Sequence, residues 1–139
     1  MLGSMDIIAF VPTRSREKAR SFYEKTIGLR LVSDDQFALV FDANGVMVRV
    51  VDVSSVAGFA PAPFTILAWI VGDVGKAVRG LGKKGVTFER YPGMQQDQVG
   101  VWTSPSGAKV AWFKDPDGNV LSVTEHPETR QKTGTIIAF

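Results

Sequence analysis

Two stretches of the chain carry one pattern: DANGVMVRVVD (42–52) and DPDGNVLSVTE (115–125). Asp42 stands opposite Asp115, Gly45 opposite Gly118, Val50 opposite Val123, and the carboxylate of Asp52 opposite that of Glu125. Each copy starts as an Asp/Gly turn and runs into an alternating, β-branched strand. A repeated supersecondary unit restricts the fold more than any composition figure, because each unit must bury one face of its own sheet and leave the other for a partner or a ligand.

The residues upstream of each copy follow the same plan. DIIAFV (6–11) reads as a strand, and in PTRSREKARSFYEKTIG the apolar period changes to that of a helix through Ala19, Phe22, Tyr23 and Ile27. Thr13 or Ser15 can cap this helix, and Gly28 can close it. LRLVSDD, QFALVFD and VMVRVVDV follow as strands, the last two joined by the turn ANG (43–45), so the first module is βαβββ. After the linker VSSVAGFAPAP (53–63), FTILAWIV (64–71) begins a second pass. Its helix, from Asp73, places Val74, Ala77, Val78 and Leu81 on one face but is weakened by its glycines; TFERY, GVWT, AKVAWFK and NVLSVTEH supply strands. With Thr13 and Asp73 taken as matching helix entries, counting back seven puts Asp6 opposite Ile66. The predicted fold is α+β: two tandem βαβββ modules forming curved sheets around a cleft. We expect one domain over 5–127, with module one at 5–53, a linker at 54–63, module two at 64–127 and a C-terminal tail at 128–139.

Composition removes several function classes. With no cysteine there is no disulfide framework, thiolate nucleophile or zinc-thiolate site, and a reducing compartment, the cytoplasm, is the expected location. Sixteen basic residues against fourteen acidic ones are spread along the chain, too dispersed for a surface that tracks nucleic-acid phosphates. The longest apolar run, AGFAPAPFTILAWIVG, is interrupted by prolines and falls short of the roughly 18 residues of a membrane span, so no membrane association is expected. MLGS, ahead of Met5, reads as residues added before the native start. The one histidine, His126, falls at a strand end and offers no credible Ser/His/Asp constellation, and the glycines near 72–82 lack the spacing and GK[ST] ending of a phosphate loop.

SFYEKTIGL (21–29) and WFKDPDGNVLSVTE (112–125), paired at this spacing and repeated, resemble the two signatures of the vicinal oxygen chelate superfamily, which includes glyoxalases, bleomycin and fosfomycin resistance proteins and extradiol dioxygenases. The resemblance covers roughly 6–127. It implies the paired-module fold, a small-molecule ligand in the cleft and a homodimer. In metal-dependent members the ligands come from the first and last strands of each module, which carry over to Asp6, Asp52, Ile66 and Glu125. Only Glu125 is of the expected type, and Ile66 has no donor atom. A transition metal, which favours imidazole, is therefore not expected, and an extradiol dioxygenase is excluded. Asp6, Asp52 and Glu125 would suit only a hard cation such as magnesium, manganese or calcium.

Alternation puts Leu121, Val123 and Glu125 on one strand face, so Glu125 is expected to look into the cleft while His126 looks away. Arg49 falls on the face opposite Asp52 and is expected against the helix side or solvent. Among the strand aromatics that could stack on a flat ligand (Trp69, Trp102, Trp112, Phe10, Phe37 and Phe41), Trp102 is the leading cleft candidate, the rest being mainly core. Ligand contacts are thus expected from Asp6, Asp52, Ile66, Trp102 and Glu125. Two functions stay open: sequestration of a small organic molecule without a transition metal, or a glyoxalase-like lyase or isomerase with Glu125 as general base.

Overall fold

The computed structural model describes residues 1–127; the tail expected at 128–139 lies outside them. Both expected modules form. In the first, β1 (Ile8–Thr13), α1 (Arg16–Ser21, continued by a π-helical turn over Phe22–Thr26), β2 (Arg30–Asp34), β3 (Leu39–Ala43) and β4 (Val46–Asp52) give a four-stranded sheet of order β1-β4-β3-β2, in which β1 and β4 run parallel. In the second, β5 (Thr65–Ile70), α2 (Val74–Lys83), β6 (Trp102–Thr103), β7 (Lys109–Lys114) and β8 (Val120–Glu125) repeat that order as β5-β8-β7-β6, with β5 and β8 parallel. Among the described residues no helix is long and apolar enough to cross a membrane.

Compact contacts divide the residues into two units. One holds Met1–Pro61 with the turn Asp115–Gly118, and the other holds Ala62–Lys114 with the residues from Asn119 on. The first unit builds its core on one sheet face. Val11, Val48, Val50, Leu39 and Phe41 are all buried there, and α1 lays Ala19 and Tyr23 over them, with the Tyr23 and Phe41 rings 6.0 Å apart. Each of the valine, leucine and phenylalanine side chains contributes about 1.5–3 kcal/mol by leaving water. The alternate residues Ile8, Phe10, Met47 and Arg49 therefore belong to the other, open face.

Local chemistry explains the element ends. Ser15, not Thr13, caps α1, accepting from the Lys18 amide at 3.4 Å; Thr13 turns instead to Asp117, its hydroxyl donating to Oδ2 at 2.6 Å. The β3–β4 turn takes left-handed backbone at Asn44 (φ 51) and Gly45 (φ 92), the pattern that matches strand twist in a tight hairpin. Tyr23, fully buried, donates to Asp115 Oδ2 at 2.6 Å, so the FY and DPDG signatures meet through a hydrogen bond inside the first unit.

In the second unit, α2 starts at Asp73, whose side chain accepts from the Lys76 amide at 3.0 Å, and buries Val74 and Val78. TFERY does not become a ladder strand; Phe88 makes one isolated bridge to Phe113, and the second strand of this module is cut to Trp102–Thr103. The residues between are held by side chains: Gln96 donates to the carbonyls of Glu89 and Gly100 and accepts from the Tyr91 amide.

Candidate functional site

Strand register locates each expected site residue. Thr13 pairs with Asp52 and Ile8 with Met47 along the parallel β1–β4 pair. Asp6 precedes β1, so it lies at the opposite end of that pair from Asp52, roughly 20 Å away along the strands. These two carboxylates cannot share an ion. The expected match of Asp6 to Ile66 rested on Thr13 as the helix cap. With Ser15 as the actual cap, the same count of seven puts Ile8 opposite Ile66, and neither side chain can ligate a metal.

Asp52 caps a short turn, its Oδ1 accepting from the Ser54 amide at 2.8 Å; hydrogen bonding from the Ser54 hydroxyl, then from its amide, aided by the charge of Arg16, holds its carboxyl below the usual range. Ile66 sits at an irregularity in the β5–β8 pairing, between Thr65 and Leu67. Glu125 shares a face with Leu121 and Val123, as expected, but that face carries α2. Its Oε1 accepts from the amide of Val74, the first residue of α2, at 2.9 Å, and Lys109 is its cross-strand neighbour. A carboxylate at a helix start satisfies a free N–H and meets the positive end of the helix dipole. Glu125 is thus placed as a helix-capping group rather than looking onto the open face, and it borders a recess of about 360 Å³ with Asp73, Arg79, Asp97, Thr103 and Lys109. His126, the next residue, is half-buried.

Trp102 lies on the other side of the same sheet. It pairs with Val110, which pairs with Thr124, whereas Glu125 pairs with Lys109. Trp102 and Glu125 thus belong to opposite faces and cannot contact one small ligand together. On its own face Trp102 packs at 6.1 Å from Trp112, whose ring meets Tyr91 edge-on at 5.6 Å, and Trp112 is the cross-strand neighbour of the buried Ser122.

The fit to a divalent metal fails on the donor set. Asp6 and Asp52 lie at opposite ends, Ile66 offers no donor, and one oxygen of Glu125 is engaged by a backbone amide. No step through a metal is derived from these residues.

The open face of the first unit is the surface that the register had hidden. Ile8 (50% exposed), Phe10 (62%) and Met47 (41%) stand on it around Arg49, which pairs with Phe10 on one side and Val40 on the other. Beside them a shallow recess of about 200 Å³ is lined by Val32, Val40, Phe41 and Met47 together with the Arg30–Asp42 ion pair, at 2.9 Å. The sequence offered Phe10 among the aromatics that could stack on a ligand but favoured Trp102, and it set Arg49 against the helix side or solvent and not on the open face. The signal was present: Val48 and Val50 flank Arg49, so burying the valines forces the arginine onto the other face.

The family model for the Glyoxalase/Bleomycin resistance protein/Dioxygenase superfamily matches residues 5–123. Among solved structures, a member of that superfamily from Sphaerobacter thermophilus is 24% identical, with a TM-score of 0.70 over 91% of this chain and 100% of that one. A lactoylglutathione lyase from Agrobacterium tumefaciens is 19% identical, with a TM-score of 0.67 over 88% and 93%. An antibiotic-binding protein from Streptomyces sp. CB03234 is 25% identical, with a TM-score of 0.63 over 91% and 98%. Comparison with curated proteins gives no match.

Proposed function

Because the chain belongs to the Glyoxalase/Bleomycin resistance protein/Dioxygenase superfamily, we propose that it binds a small, largely apolar organic molecule on the open face of its first sheet, without a transition metal. The observation that carries this reading is Phe10, Ile8 and Met47 left in water on a sheet whose other face is fully packed. Grouped exposed apolar side chains of this kind mark binding surfaces. The antibiotic-binding neighbour supports sequestration as the outcome of binding. The working assembly is proposed to be a homodimer in the cytoplasm.

The test uses the fluorescent probe 8-anilinonaphthalene-1-sulfonate with chelator-treated protein, before and after addition of zinc, magnesium or manganese. Saturable binding that is indifferent to metal, and weakened at least tenfold in Phe10→Ser with the thermal midpoint retained, is the expected result. Binding that appears only with added metal, or that ignores the Phe10 substitution, contradicts the proposal.

A further inference from the structure

Arg49 is an unusual side chain for the middle of an apolar sheet face. Burying a charged group costs free energy unless something opposite pairs with it. Every neighbour that register gives Arg49 is apolar: Phe10 and Val40 across the strands, Met47 and Val51 two residues away on its own strand. It is nevertheless half-buried. Among the described residues its guanidinium makes no hydrogen bond or ion pair. The other arginine of this face, Arg30, is held by Asp42 at 2.9 Å. Asp35 feels the charge of Arg49, but its Oδ1 already accepts from the amides of Phe37 and Ala38 at 2.8 and 3.1 Å.

Resting on the binding reading above, we infer that Arg49 is the specificity-determining residue of the open face and selects an organic anion: a ring or branched apolar body bearing a carboxylate, sulfonate or phosphonate. The apolar body lies against Phe10, Ile8 and Met47 and reaches the recess walled by Val32 and Val40. The anionic head meets the guanidinium, whose planar fork donates two parallel hydrogen bonds to such a group. The apolar body, seated over these exposed side chains, displaces water from around that pairing and so strengthens it. The same positive charge makes this face hostile to a metal cation.

The experiment compares two probes of nearly the same shape, the anionic 8-anilinonaphthalene-1-sulfonate and the neutral N-phenyl-1-naphthylamine, on wild type, Arg49→Met, Arg49→Lys and Phe10→Ser. Wild type is expected to prefer the anionic probe by at least tenfold. Arg49→Met is expected to abolish that preference while holding the neutral probe within about twofold, and Arg49→Lys to keep part of it. The preference is also expected to shrink as salt is raised. An unchanged ratio in Arg49→Met, or an equal loss of both probes with the fold intact, overturns the inference while leaving the binding face standing. If neither probe binds wild type, or Phe10→Ser spares both, the binding reading itself fails. If the face is instead occupied by a second copy, sedimentation shows a dimer that excludes both probes and that Arg49→Met disturbs, and the inference is overturned.

Discussion

Arg49 and Asp52 are three residues apart on one strand, and that odd spacing sends them to opposite faces. The parity was readable from the sequence; which face carried the helix was not, because alternation alone labels faces without naming them. Glu125 shows the same limit. Its grouping with Leu121 and Val123 was legible, but the amide of Val74 that it accepts from lies 51 residues away in sequence, and only the fold brings the two together. As a helix-capping group it has a specific consequence: Glu125→Ala is expected to cost about 1 kcal/mol in urea unfolding and to leave probe affinity unchanged. Loss of binding with the fold intact would move the site to the helix side. Tyr23 is a second test at this scale. Burial, followed by the charge of Asp115 and its hydrogen bond, pushes the phenol far above its usual range. The folded form therefore keeps its proton where the unfolded chain, titrating near pH 10, loses it. Tyr23 contributes full stability below about pH 10, and that contribution falls as pH rises above it. Between pH 8 and pH 11 wild type is expected to lose more stability than Tyr23→Phe, in which Tyr91, also raised by burial, still titrates; Tyr23→Phe is itself destabilised by about 1–3 kcal/mol at pH 8 through the lost buried hydrogen bond.

At the scale of elements, turn chemistry was the most legible feature and edge structure the least. ANG and DPDG marked two turns because Gly45 and Gly118 occupy backbone, at φ 92 and φ 86, that other residues adopt only with strain. Gly45→Ala is expected to lower stability by about 1–2 kcal/mol, read as a shifted urea midpoint with an unchanged slope. The opposite sign is expected inside α2, where Gly80 is helical and a methyl group added to its Cα would meet nothing within 4 Å. Gly80→Ala should therefore raise stability by about 0.5–1 kcal/mol, and a loss would mean that the helix is constrained there by something other than propensity. TFERY failed as a strand for a physical reason. Its β-rich composition suits a ladder, but Gln96 takes up the backbone groups that a paired strand would have used, leaving a single bridge at Phe88. A side chain reaching backbone groups five and seven residues away leaves no periodic trace.

At the scale of the whole molecule, the repeat was enough to predict two βαβββ modules, and both are present with the same strand order. The site was harder. A repeat reports what both copies share, and they share helix-face cores and turns; the open faces differ, one bearing Arg49 among exposed apolar residues and the other layered with Trp102, Trp112 and Tyr91. The proposed binding rests on that difference, because function lives in sites grafted on a fold and not in the fold itself. The direct measurement is amide chemical-shift mapping of chelator-treated, isotope-labelled protein titrated with 8-anilinonaphthalene-1-sulfonate. The largest shifts are predicted along β1 and β4, from Ile8 to Val11 and from Met47 to Val51, with or without added divalent metal. Shifts confined to the start of α2 and Glu125, or appearing only once metal is added, would contradict the account.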